Sequence, residues 1–595
     1  MNCRSFWQTG LVAVALGAGV AACGGKSAGP ARVEWSADPQ ATANPWPSDR
    51  LRSGGRAGTP AGYFHVLPDD PSFQQASDFL ETAAATLSSN GGYSVYAPIV
   101  VKTTAAVSTS GLAGFHLYAA GTSTEHPITL HWSNELHAVL VSPDTPLQQN
   151  TPYVLAIASD RLEPSGDFTA ALASDATLQS LATDAVTRGF AADATKLDLL
   201  LTFTTQSVHE DLAAAQVRVE GVLGSSLLPV FTAPPAVADY PAGTFLAGSP
   251  TFTHIFQTVG ADTAGIAAFA QGTWTAWDFR DANGVLDRSL VNGSAGTPGT
   301  TTVDFRLCIP EGTAPAGGWP VVMVSHGISG TSDEGVQRCS SFALAGIAVV
   351  TQTATDHGFR GSVLHFFDFT RLLAVRDEFR QSDIEFLQMQ RLLRNAHAAA
   401  IAPFDQLDTD HPHYWGNSLG ALIGGGVVAS STHLQASGLT VPGGRMTMLF
   451  DGKAGQLLLG VFAGGVGLSL TEKHFPAYLA AFRELAQWGI DPADPAALAP
   501  YAPTGRKVLL QEALHDGTII NASTENLREA WNFPTETAPA DPFADQGALW
   551  VWDASQFGFP STYDVHNLYW DLPPMRHQME QWLLSDGVNL TDPAN

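Results

Sequence analysis

The chain of 595 residues carries 29 Lys and Arg against 56 Asp and Glu, a formal net charge of -27, and is 45% hydrophobic and 14% charged. That balance excludes an intrinsically disordered chain, and acidity without a clustered basic face excludes nucleic acid as a partner, since phosphate contacts need concentrated Lys and Arg. At about 100 to 200 residues per domain the length calls for more than one core, and two substantial domains are expected.

In chain order, Arg4 and the apolar run from Leu11 to Val20 read as an export signal (residues 1–22), too short to span a bilayer. The segment Val20-Ala21-Ala22-Cys23 resembles the lipobox of bacterial lipoproteins, which implies cleavage before Cys23, acylation of its thiol and membrane attachment through an N-terminal lipid anchor. An ordinary signal cut at a small residue is the alternative. Either route exports the protein, and the cell envelope is its expected location. Residues 23–45 are expected to be a flexible tether. From residue 46 to 238, short alternating runs bounded by Thr, Ser, Gly and Pro predict a β-rich, Ig-like domain, interrupted by one helix near Leu178 to Ala191. Residues 239–300, dense in Pro, Gly and Thr, are expected to be a connector.

After about Thr301, apolar strand cores alternate with helical stretches. This is the pattern of an α/β fold, a mainly parallel sheet with helices on both faces, over residues 301–595. Strands are expected at Val303 to Ile309, Pro320 to Ser325, Ile347 to Thr351, His413 to Trp415, Met446 to Phe450 and Val508 to Gln511. Helices are expected at Gly335 to Leu344, Asp377 to Ala400 and Met575 to Leu584, the second of them amphipathic. Residues 451–503 form an insertion that could cap a site or merely thicken the helical layer. Once the signal is cleaved and Cys23 acylated, Cys308 and Cys339 remain, as a disulfide or as two buried thiols; the spacing leaves both open.

Gly416-Asn417-Ser418-Leu419-Gly420 lies between a strand and a helix, as a nucleophile elbow requires. The same five-residue pattern at Gly25 to Gly29 has no such context, so context selects Ser418. In an α/β-hydrolase fold the order is oxyanion loop, Ser, acid, His. Upstream, His326-Gly327-Ile328-Ser329-Gly330 ends a strand, and the backbone N–H groups of Leu419 and Ile328, or Gly327, are the expected oxyanion donors. Downstream, Asp516 follows a strand and is preferred as the acid over Asp451 and Glu512; His566, before the closing helix, is preferred as the base over His577. His326, Asn417, Asp356 and His357 are candidate site-lining residues. There is no metal-ligand cluster and no Walker loop in the sequence, and the chemistry implies no cofactor.

The stretch Trp319 to Ser332, the elbow, the lipobox and Asn44 to Asp49 together resemble the bacterial virulence-factor lipase family. The resemblance implies an outer-membrane or surface lipoprotein, with an N-terminal β domain and a C-terminal α/β-hydrolase domain. It also implies lipase, carboxylesterase or lysophospholipase activity through Ser418, Asp516 and His566 on an ester or lipid substrate. Two other readings stand beside it. One is a surface binding lipoprotein with a relic hydrolase domain. The other is a serine hydrolase of polyesters, thioesters or peptides.

Overall fold

The computed structural model describes residues 30–591. The signal segment, Cys23 and the start of the tether lie outside the described residues.

A ten-stranded sheet organises the chain. Its strands are β1 (Gly243–Leu246), β2 (Ile266–Asp278), β3 (Gly299–Pro310), β4 (Trp319–Ser325), β5 (Ala348–Thr351), β6 (Leu407–Asn417), β7 (Ala436–Thr440), β8 (Lys507–Ala513), β9 (Thr535–Glu536) and β10 (Gly547–Trp552). They lie in the order β1-β2-β3-β5-β4-β6-β7-β8-β10-β9. The first three are antiparallel and β3 meets β5 antiparallel; every pairing from β5 to β9 is parallel. β4 is buried along almost its whole length, as its continuous Val-Val-Met-Val run requires of a central parallel strand.

Residues 239–300, expected to connect, instead supply β1 and β2. The long β2–β3 hairpin extends the sheet, and its Gly- and Thr-rich sequence hid the strand. Residues 31–45, expected to be a tether, are built in as well. Ala31–Arg32 pairs with Leu162–Glu163, and Trp35 packs edge-on to Phe168. Beyond them the N-terminal region holds an antiparallel sheet of three strands and another of four, with helices at Gln74–Leu87, Gly166–Ser174 and Ala176–Thr187. Its apolar residues share one continuous core with part of the large sheet, such as Val321, Met323, Val350 and Leu510, while Val322, Val324, Val349 and Leu509 belong to a second core.

Met446 to Phe450 is not a strand but part of a 3-10 turn, Met446–Asp451. The strand that precedes the insertion is β7, ten residues earlier, whose small residues Ala436-Ser437-Gly438 carry little β signal. Helix α1 (Leu372–Ala398) is amphipathic, as expected, but is buried on its polar face as well over most of its length. Most of its charges are paired inside: Arg376 and Arg380 with Asp377, Arg380 also with Asp211, and Glu385 with Arg360, while Asp383, equally buried, has no ion pair and burial raises its carboxyl well above the ordinary range. Buried charges persist only when paired in this way. Cys308 and Cys339 form a disulfide that ties β3 to the helix Cys339–Leu344.

Candidate active site

β6 runs into Ser418 and then directly into helix α2 (Leu419–Ser430). Ser418 stands at φ 55° and ψ -116°, a strained conformation for a residue with a side chain. The turn closes because its neighbours have no side chains. A Cβ at Gly416 would sit 2.1 Å from the Gly420 carbonyl oxygen, and one at Gly420 would sit 2.2 Å from that of Ser325. The Ser418 N–H donates to the Thr440 carbonyl at 3.0 Å, which fixes the elbow to β7.

His566 lies in the short turn Val565–Asn567, and Asp516 lies just past β8. The Ser418 hydroxyl is 2.9 Å from His566 Nε2, and His566 Nδ1 is 2.7 Å from Asp516 Oδ2. The other Asp516 oxygen accepts the N–H groups of Thr518 at 2.7 Å and Ile519 at 3.3 Å, so the carboxylate cannot turn away. A carboxylate facing Nδ1 keeps the proton there and leaves Nε2 as the base for the serine. The fold is that of an α/β-hydrolase.

The alternative residues of the hydrolase stand elsewhere. Asp451 pairs with Arg483 on the surface. Glu512 is held near Glu525, and burial pushes its carboxyl up to about 8. His577 is exposed on the closing helix, 3.9 Å from Glu580.

The oxyanion loop corrects one expectation. The Gly327 N–H does not face the serine, because it donates to both carboxylate oxygens of Glu334, each at 3.1 Å. The Gly327 carbonyl accepts the Gly330 N–H at 3.0 Å and lies 2.7 Å from His326 Nδ1. His326 is fully buried, and desolvation, with His357 and Arg360 beside it, pushes its imidazole down to about 3. The ring is therefore neutral. Its Nε2 accepts the Ala354 N–H at 3.0 Å, which leaves Nδ1–H to donate to Gly327 O. In a trans peptide the C=O and N–H point opposite ways. Holding Gly327 O inward thus turns the Ile328 N–H outward, on the side where Ile328 and Ser418 border one cavity. Leu419, first in its helix, has an N–H with no intrahelical acceptor and is the second donor.

The four expected lining residues back the site rather than line it. His326 braces the loop from behind, and His357 packs tilted against His326 with ring centroids 5.0 Å apart, its Nδ1 bonded to the Thr355 carbonyl. Asp356 contacts His365 at 3.2 Å. Asn417 is buried beneath the elbow, its Oδ1 without a partner among the described residues.

The walls in front of Ser418 come from segments with no catalytic signature. A cavity of about 280 Å³ opens at Ser418 and is lined by Phe366, Phe369, Leu422, Phe450, Leu458 and Ile490, among other mostly apolar side chains. The insertion builds much of it through α3 (Lys453–Gly465) and α4 (Phe475–Ile490). Phe450 meets Phe369 edge-on, and Phe462 stacks on Phe482 at 4.1 Å. The insertion is thus a wall of the site as well as a helical layer. Two features escaped the sequence reading: Glu334, which nothing local marks, and the apolar cluster Val363 to Phe369, whose density of Phe was the available signal.

No protein-family profile and no curated protein matches the chain. Among solved structures, it is similar to acetyl xylan esterase 1 from Thermoanaerobacterium sp. JW/SL YS485. The identity is 13%, over 61% of this chain and 97% of that one, with a TM-score of 0.34. An acetyl xylan esterase from Paenibacillus sp. R4 is 11% identical over 57% and 96%, with a TM-score of 0.33. A cold-adapted esterase from an Arctic intertidal metagenomic library is 15% identical over 52% and 94%, with a TM-score of 0.27. At such similarity the hydrolase reading rests on the chain's own strand order and elbow.

Proposed function

We propose that this hydrolase is a serine carboxylic-ester hydrolase that seats a hydrophobic acyl group in the cavity beside Ser418, and so acts on lipid-like esters as a lipase, esterase or lysophospholipase does. The observation that carries the reading is that apolar cavity opening on an intact Ser–His–Asp relay. Ser418 Oγ attacks the ester carbonyl and passes its proton to His566 Nε2, while the carbonyl oxygen takes the electron pair and is met by the Ile328 and Leu419 N–H groups. Collapse expels the alcohol, which takes the proton from His566. Water activated by the same histidine then hydrolyses the acyl-enzyme. A water-sized group occupies roughly 30 Å³, so the cavity holds on the order of ten methylenes.

A fluorophosphonate probe should label the wild type and not Ser418→Ala. Among p-nitrophenyl esters, kcat/KM should rise from acetate to octanoate. Failure to label, or labelling that survives the substitution, overturns the serine mechanism, and a sharp preference for acetate overturns the acyl-pocket assignment.

A further inference from the structure

Glu334 is a half-buried carboxylate beside the reaction centre that the relay above does not use. It lies on the short helix Ser332–Val336 that follows the oxyanion loop, seven residues beyond Gly327. Both its oxygens accept the single Gly327 N–H. The fit around it is close, since a Cβ at Gly330 would stand 2.5 Å from Glu334 Oε2. The carboxylate therefore fills the inside of the turn from Gly327 to Gly330. On its far side it faces Arg338 and His566.

We propose that Glu334 is the positioning residue of the oxyanion hole, clamping Gly327 so that the next peptide presents the Ile328 N–H to the carbonyl oxygen developing its charge over Ser418. The inference rests on the ester-hydrolase reading for its kinetic consequence, though not for the clamp itself. Two braces hold the two peptides that flank the Gly327 Cα. His326 Nδ1–H and the Gly330 N–H fix the Gly327 carbonyl, and Glu334 fixes the Gly327 amide. With only the carbonyl held, the turn can still pivot about Gly327, whose missing side chain leaves its backbone free to do so. Ser329, at φ 63°, is already in the left-handed region, so the turn relies on its bonds to keep that shape. Donors in an oxyanion hole act because they are pointed before charge develops; a loosened donor loses most of its effect even while it stays in reach.

The test compares Glu334→Ala, Glu334→Gln and Asp333→Ala. Asp333 is the neighbouring acid; its carboxylate pairs with Arg306 rather than with Gly327. Glu334→Ala is expected to lower kcat on an octanoate ester by about 10- to 100-fold with KM within twofold, a loss in the range of a removed oxyanion donor or somewhat below it. Glu334→Gln keeps an oxygen for the Gly327 N–H and is expected to recover most of that loss, and Asp333→Ala should match the wild type. Hydrogen exchange read by mass spectrometry supplies a readout that needs no turnover. In Glu334→Ala the amides of the peptide around Gly327 should exchange faster, with the rest of the chain unchanged.

If Glu334→Ala stays within twofold of the wild type, or Glu334→Gln is as impaired as Glu334→Ala, the positioning role is overturned. Should Glu334→Ala unfold, the glutamine variant and its exchange at Gly327 decide. A wild type that neither labels with fluorophosphonate nor turns over esters overturns the ester-hydrolase reading instead, and unchanged exchange at Gly327 would still overturn the clamp.

Discussion

Asp516 shows how a single side chain fixes the direction of proton flow. One oxygen is bound by two backbone N–H groups and the other faces His566 Nδ1. Asp516→Asn keeps the shape but lets the amide donate, which favours the tautomer with its proton on Nε2, where it cannot take the one from Ser418. We expect kcat to fall on the order of 10⁴-fold with the circular dichroism spectrum unchanged; a loss of less than tenfold would mean that another acid serves His566. Ser418, Asp516 and His566 were legible because each sits at a strand end or loop that the local sequence declares. Gly327 was misassigned for the opposite reason. The partner that takes its N–H, Glu334, is brought underneath it by the path of a loop and a helix, and no short-range pattern encodes that approach.

At the level of elements, the cavity belongs to pieces that carry no catalytic motif: the segment before α1, the turn after β7 and the two helices of the insertion. Ala486, buried on α4, borders the cavity. Ala486→Phe should fill it. The expected outcome is a kcat/KM for octanoate reduced by tenfold or more with butyrate changed little, measured on the same ester series; equal losses on both would place the acyl chain elsewhere. Strand β4 and helix α2 could be read from their apolar runs and the elbow between strand and helix. Strand β7 could not, because Ala-Ser-Gly-Leu-Thr has a single β-branched residue and no alternation, and its place was given to Met446 to Phe450, apolar for another reason: Met446 and Phe450 border the cavity.

Over the whole molecule, the N-terminal region and the insertion meet in a buried junction. Trp46 and Tyr93 pack on Trp488, and Asp491 accepts bonds from Ser94 Oγ and the Val95 N–H, each at 2.7 Å. Glu484 lies in this junction, 5% exposed, with one carboxylate oxygen lacking a partner among the described residues. Burial pushes it up to about 8 from an ordinary 4.5, against the pull of Arg445 and Arg483. The folded-state pKa is thus the higher one, and between those two values the folded chain holds a proton that the unfolded chain has released. Stability therefore falls as pH rises through that window, by about 1 kcal/mol per pH unit from this group. Glu484→Gln should raise the thermal midpoint at pH 8.5 and leave it nearly unchanged at pH 4.5. An equal shift at both values would mean the effect is one of packing. Composition and periodicity located the β-rich half and the α/β half. They did not reveal that residues 31–45 and 239–300 are built into those halves, because Gly-, Thr- and Pro-rich strands resemble linkers until a partner strand is present.

The bond between Trp488 and the Gly92 carbonyl, 2.9 Å long, makes the N-terminal region a buttress for the end of α4 that borders the cavity through Ala486 and Ile490. Engineers who wish to graft this pocket onto another scaffold would have to transplant both pieces together. The shape of this cavity is inherited jointly by two stretches of sequence nearly 400 positions apart, so drift in the first half can reshape the pocket that the second half carries.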